Sequence, residues 1–99
     1  MIKNVQMRSM PKLIGSRSTV ISLCEKLPED LSSTVVSVDC STVSSMSQGS
    51  VDEFCKQILG VRKSLELRLI NPTARLANHA LKSAELRGLS GLKVLREEN

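Results

Sequence analysis

TVVSVDC (Thr34–Cys40) and, beyond the stretch Ser41–Gly49, SVDEFCKQIL (Ser50–Leu59) decide the fold. The first is rich in β-branched residues and bounded by serines and threonines, the pattern of a mostly buried strand. The second opens on Ser50-Val51-Asp52-Glu53, which reads as a capping box with Ser50 as the cap and Glu53 reaching back. Val51, Phe54, Cys55, Ile58 and Leu59 then share one helical face, and Gly60 reads as the stop. A strand feeding a helix needs a crossover before the next strand, so the pair predicts a parallel arrangement.

Outward from this unit the pattern repeats. Leu65, Leu67 and Leu69 alternate with Glu66 and Arg68 over Ser64–Ile70, a strand with one wet face. Asn71 then reads as an N-cap and Pro72 as the first helical residue. The helix that follows carries a small-residue stripe, Leu76, Ala77, Ala80, Leu81 and Ala84, and Gly88 reads as its C-terminal cap. Upstream, Ser16 or Ser18 caps a helix with Val20, Ile21, Cys24 and Leu27 on one side, ended by Pro28. Ile2–Met7 reads as a strand, with Lys12–Ile14 and Leu92–Leu95 as shorter ones. The sum is an α/β fold: a mixed, mostly parallel sheet of about four strands with three main helices, in one domain spanning 1–99.

The 99 residues suit one core. No apolar run approaches the roughly 18 residues needed to span a bilayer. Residues 1–10 lack the long apolar core of a secretory signal. Phe54 is the only aromatic side chain, which removes stacking platforms for single-stranded nucleic acid. Three widely spaced cysteines, Cys24, Cys40 and Cys55, form neither a disulfide framework nor a zinc motif and fit a reduced, cytoplasmic protein. His79 has no ligand partner at metal spacing, so no metal and no cofactor is expected. The formal net charge of +4 is unevenly placed. Residues 1–19 hold Lys3, Arg8, Lys12 and Arg17 with no acid, Glu25–Glu53 is acidic, and Lys56, Arg62, Lys63, Arg68 and Arg75 make a basic return. That division suits oriented docking to a charged partner. No nucleophile has an evident base beside it and no glycine-rich phosphate loop occurs, so no catalytic residue is expected and enzymatic function ranks last.

Individual residues carry further expectations. Asp39, at a strand end, is suited to hold the following loop by accepting backbone amides. Asp52 and Glu53 favour the helix N-terminus electrostatically, and their neighbouring positions diverge by about 100°, which argues against paired acid–base work. Gln48 suits either a partner or its own loop. Arg17 opens a helix against its dipole, which points to a carboxylate elsewhere or to solvent.

Val36-Ser37-Val38-Asp39-Cys40-Ser41-Thr42-Val43 is similar to a strand that ends in Asp followed by Ser-Gly-Val. Leu69-Ile70-Asn71-Pro72 with Leu86-Arg87-Gly88-Leu89 is similar to a last strand, a capped helix and a closing Gly-Leu. Gln48, Asp52 and Glu53, with Ser16-Arg17-Ser18, match the Gly-Gln-Ala-Phe-Ala-Asp-Glu and Ser-Arg motifs of one bacterial branch. This set resembles the STAS domain of sulfate transporters and anti-sigma-factor antagonists, and most closely its STAS-like bacterial branch. The resemblance implies a non-enzymatic regulatory module that docks through 41–49 and the start of the 50–59 helix, with Arg17, Asp39, Ser47, Gln48, Gly49, Asp52 and Glu53 as partner-binding residues. It implies a partner of the anti-sigma or switch-kinase type, an ATP-binding regulator. Antagonist domains carry a phosphorylated Ser in Asp-Ser-Ser-Gly. Here an ungapped alignment from Asp39 puts Gln48 at that position, and a one-residue shift puts Ser47 there, so Ser47 and then Ser50 are the candidate phosphorylation sites. A constitutive subunit of a larger assembly and, third, a nucleic-acid accessory protein are the competing readings. The Leu65–Leu69 strand and the alanine stripe serve a core or a homodimer equally well.

Overall fold

The computed structural model describes residues 1–97, so the last two residues of the expected 1–99 domain lie outside it. The elements are β1 (Lys3–Met7), β2 (Leu13–Ile14), α1 (Arg17–Cys24), β3 (Thr34–Asp39), β4 (Ser45–Met46), α2 (Gln48–Cys55), β5 (Glu66–Ile70), α3 (Ala74–Arg87) and β6 (Leu92–Leu95). Strands β1, β3, β5 and β6 form one sheet in that order, and every pairing in it is parallel. The fold class is therefore α/β with three helices and a four-stranded sheet, as the periodicities predict.

Strand alternation sorts the sheet into two unlike faces. Val36, Val38, Leu67 and Leu69 point into a core with Val20 and Cys24 of α1, Val51, Phe54 and Cys55 of α2, and Leu76 and Ala80 of α3. All three helices therefore cover one face, as crossovers of one hand between parallel strands in sequential order require. Phe54 is 4% exposed, and truncating a buried aromatic of this kind costs about 3–5 kcal/mol. On the other face Gln6, Ser37, Arg68 and Lys93 lie in register across the four strands. Among the described residues no helix lies over them.

Four local readings are corrected. The N-cap of α2 is Ser47, not Ser50: the Ser47 hydroxyl accepts from the Ser50 amide, and the helix begins at Gln48. Gly60 does not stop that helix. The chain continues through it as a π-helical turn, Lys56–Val61, which buries both Ile58 and Leu59. There Gly60 gives Leu89 close access, its methyl lying 3.5 Å from where a Cβ would stand. Thr73, not Asn71, caps α3, accepting from Leu76 N at 3.1 Å. Asn71 instead adopts a left-handed backbone, φ 55°, and its side chain accepts from the Glu97 amide at 2.8 Å. Lastly, Ser45–Met46 forms a short parallel strand with Leu13–Ile14 inside what reads as loop. Gly88 does cap α3, with φ 65°.

Candidate functional site

The loop from β3 to α2 is held at both ends. At its start the Asp39 carboxylate accepts from the Ser41 amide (3.0 Å) and the Ser41 hydroxyl (2.6 Å), the loop-holding role expected of it. Those two bonds lower the Asp39 pKa. Val43 is buried and anchors the middle. The amides of Ser44 and Ser45 donate to Lys12 O, and that of Ser47 donates to Ile14 O, which staples the loop along β2. What emerges is a tip whose backbone is fixed while Ser47 and Gln48 stand exposed and Gly49 is half-buried.

The two candidate phosphorylation sites part company here. Ser47 is open to solvent, whereas Ser50 is fully buried with its hydroxyl 2.6 Å from that of Ser47. A phosphate on Ser50 has no room without opening the helix start.

Below the tip lies an ionic network that joins all three helices. Asp52 accepts two bonds from Arg87, Nε at 2.7 Å and Nη2 at 2.6 Å, one from the Ser83 hydroxyl at 2.6 Å, and one from Arg17 Nη1 at 3.2 Å. A bidentate guanidinium–carboxylate pair of this kind is the strong form of charge-assisted hydrogen bond. The Arg87 bonds, helped by Ser83 and Arg17, hold the Asp52 carboxyl well below the usual carboxylate range. Arg17 Nη1 also reaches Glu53 Oε1 at 3.2 Å. Glu53 is 4% exposed, and its other oxygen accepts from Gln57 at 2.7 Å, with Lys56 at 3.8 Å. The Gln57 bond and then Arg17 lower its pKa. The Arg17 guanidinium meanwhile lies over Gly49, 3.5–3.7 Å from the position of a Cβ there.

The candidate residues thus fall into two groups. Ser47, Gln48 and Gly49 form the presented tip. Arg17, Asp52 and Glu53 are its foundation, and both carboxylates are satisfied inside the molecule. Of the two alternatives open for Arg17, a carboxylate or solvent, the structure supplies both, since Nη1 reaches the two acids while the side chain stays 51% exposed. Asp39 stands apart at the loop's other end. Arg87 and Ser83 were not legible as site residues, because nothing in the α3 pattern says which acid lies across from them. Among the expected basic set, Lys56 faces Glu53, Arg62 donates to the carbonyls of Leu27 and Pro28, and Arg68 pairs with Glu66 at 2.8 Å on the outer sheet face. These cations are scattered rather than gathered in one patch.

Two clefts flank the tip. One of about 300 Å³ runs between Ser44–Gln48 and Thr73–His79, and the other of about 350 Å³ runs from Arg17 and Gly49 to Lys82 and Leu86. Gln48 and His79 line both. Among the described residues no helix is long and apolar enough to cross a membrane, and no cluster of three or more His, Cys, Asp or Glu has metal-binding placement. No family model matches the chain, and comparisons with curated proteins and with solved structures give no match either.

Proposed function

We propose that this chain is a STAS-like regulatory module that acts by reversible binding to a protein partner, docking through Ser47-Gln48-Gly49 and the first turn of α2. One observation carries the reading: an exposed polar tip whose backbone is stapled on both sides. Fixed polar groups at a helix start lose little freedom when a partner completes their hydrogen bonds, so rigidity there lowers the cost of association. The network of Arg17, Asp52 and Arg87 supports the same reading by anchoring that helix start to α1 and α3. The STAS resemblance adds the partner class, an ATP-binding regulator of the anti-sigma or switch-kinase type, and makes Ser47 the residue whose phosphorylation sets affinity. A phosphate on Ser47 lies at the positive end of α2, where a phosphate is tolerated by the helix while it blocks close approach of a partner.

The test is retrieval of the partner from the native host with tagged wild-type protein and with Gln48→Ala. Gln48 is exposed, so the variant keeps the wild-type melting temperature. Loss of the partner with that variant supports the proposal, and undiminished recovery contradicts it.

A constitutive subunit of a larger assembly is favoured by a different observation, the uncovered outer face of the sheet. Parallel sheets are ordinarily covered on both faces. Intact mass of protein from its native cell separates the two readings, since a constitutive subunit carries no phosphate.

A further inference from the structure

Arg75, His79, Lys82 and Leu86 stand at i, i+4, i+7 and i+11 of α3 and so share one face. That face forms the far wall of the two clefts beside the tip. Of the described residues lining them, Arg17, Arg75 and Lys82 are cationic and Asp52 is the only acid. Asp52 is already satisfied by Arg87, Ser83 and Arg17. Neither Arg75 nor Lys82 has an ion-pair partner among the described residues. His79, between them, has its Nδ1 shielded and without a hydrogen-bond partner. The groove is therefore positive, and its one carboxylate is spent inside the protein.

Resting on the docking role of the Gln48 tip, we propose that this groove takes an extended acidic segment of the partner protein. The stripe from Arg75 to Leu86 is about 16 Å long at helical rise, the span of about five extended residues. Leu86, 76% exposed, closes one end of the groove, and half-buried Met46 lines the other. The occupant is accordingly a short run of Asp or Glu with an apolar side chain at the Leu86 end. Nucleic acid fits less well, because the stripe is short, its cations few and its walls without an aromatic stacking platform.

The probe is a synthetic peptide of five glutamates ending in leucine, titrated into isotope-labelled full-length protein at low salt and followed by amide chemical shifts. The same peptide with glutamine for glutamate and a single-stranded oligonucleotide are the controls. Shifts centred on Gln48, Gly49, His79 and Lys82 are expected, and roughly tenfold weaker binding is expected for Arg75→Glu with Lys82→Glu. Both positions are exposed, so the double variant keeps its fold, and Lys82→Gln alone gives a smaller loss in the same direction. The inference is overturned if the glutamine peptide binds equally well, if shifts fall elsewhere or nowhere, or if the oligonucleotide occupies the groove more tightly. These arms leave the docking role of the tip untouched: a partner lost on Gln48→Ala but indifferent to Arg75→Glu with Lys82→Glu sinks the acidic segment alone.

Discussion

Arg17 Nη1 lies 3.2 Å from Asp52 Oδ2, a pair that bridges 35 residues of sequence and ties the first turn of α1 to α2. Arg17 begins its own helix, where a cation opposes the dipole. The structure resolves that conflict with two acids, Asp52 and Glu53, presented by a neighbouring helix. The same guanidinium covers Gly49, so the ion pair and the shape of the exposed tip are one feature.

Asp52 makes stability pH-dependent, and its sign follows from the direction of its shift. The folded state favours the ionised carboxylate, so the unfolded chain takes up the proton first as pH falls. The contribution of Asp52 is complete above its ordinary value near 4 and is lost below it. Asp52→Asn should lower unfolding free energy by about 1–3 kcal/mol at neutral pH. The gap from wild type should shrink as pH is taken below about 4. Urea melts at several pH values check this, and a gap that stays constant into acid contradicts it.

Ser47 and Ser50 should respond oppositely to a carboxylate. Ser47→Ala removes the cap and should cost about 1 kcal/mol, whereas Ser47→Asp keeps a good capping residue and should stay within about 0.5 kcal/mol of wild type. Ser50→Asp buries a charge and should cost about 3 kcal/mol or more. Thermal or denaturant melts of the three variants decide it. Equal tolerance at both positions would mean that the helix start is looser than the two serine hydroxyls, 2.6 Å apart, indicate.

Gly88 and Gly91 both have positive φ, 65° and 96°, but only one is crowded. A Cβ at Gly88 meets nothing within 4 Å, so Gly88→Ala should cost about 1–2 kcal/mol from backbone conformation alone. A Cβ at Gly91 would stand 2.4 Å from Leu65 O, the backbone beside β5. Gly91→Ala should therefore cost more, about 3 kcal/mol, and pull β6 from the sheet. Hydrogen exchange at the β6 amides reports the difference, and equal protection in the two variants would contradict it.

Cys24, Cys40 and Cys55 are all buried. Burial pushes their thiols up to about 11, about 11 and about 12. Native protein should react with a thiol reagent only as fast as it opens, and all three should react at once in urea. Prompt labelling of any one of them in the native state would count against the packing described for it.

Much of this fold is legible in the sequence because its signals are periodic. The alternation of Leu67 and Leu69 with Glu66 and Arg68 survives in β5, whereas Leu65, the first leucine of that pattern, falls before the strand and is 45% exposed. The apolar face from Val51 to Leu59 is buried throughout, with its last two residues in the π-helical turn. Capping was harder to read. Ser47 and Ser50 are both good N-cap residues, and the choice between them depends on Ile14 O accepting the Ser47 amide, a contact fixed by tertiary packing. Asn71-Pro72 has the form of a helix start, yet Asn71 is drawn off by the Glu97 amide and Thr73 caps instead. Gly60 reads as a stop because local propensity carries no record of Leu89 packing against it. At the candidate site, the loop-holding role of Asp39 is local and was legible. The meeting of Asp52 with Arg87 and Ser83 is not, since no periodicity ties α2 to α3.

We propose that the Ser47-Gln48-Gly49 tip is the surface a partner grips. A photo-reactive amino acid placed at position 48 and activated in the native host tests it most directly, with the same group at exposed Glu29 as the control. One dominant protein adduct is expected from position 48 and is missing from position 29. No adduct at position 48, or the same products from both positions, would contradict it.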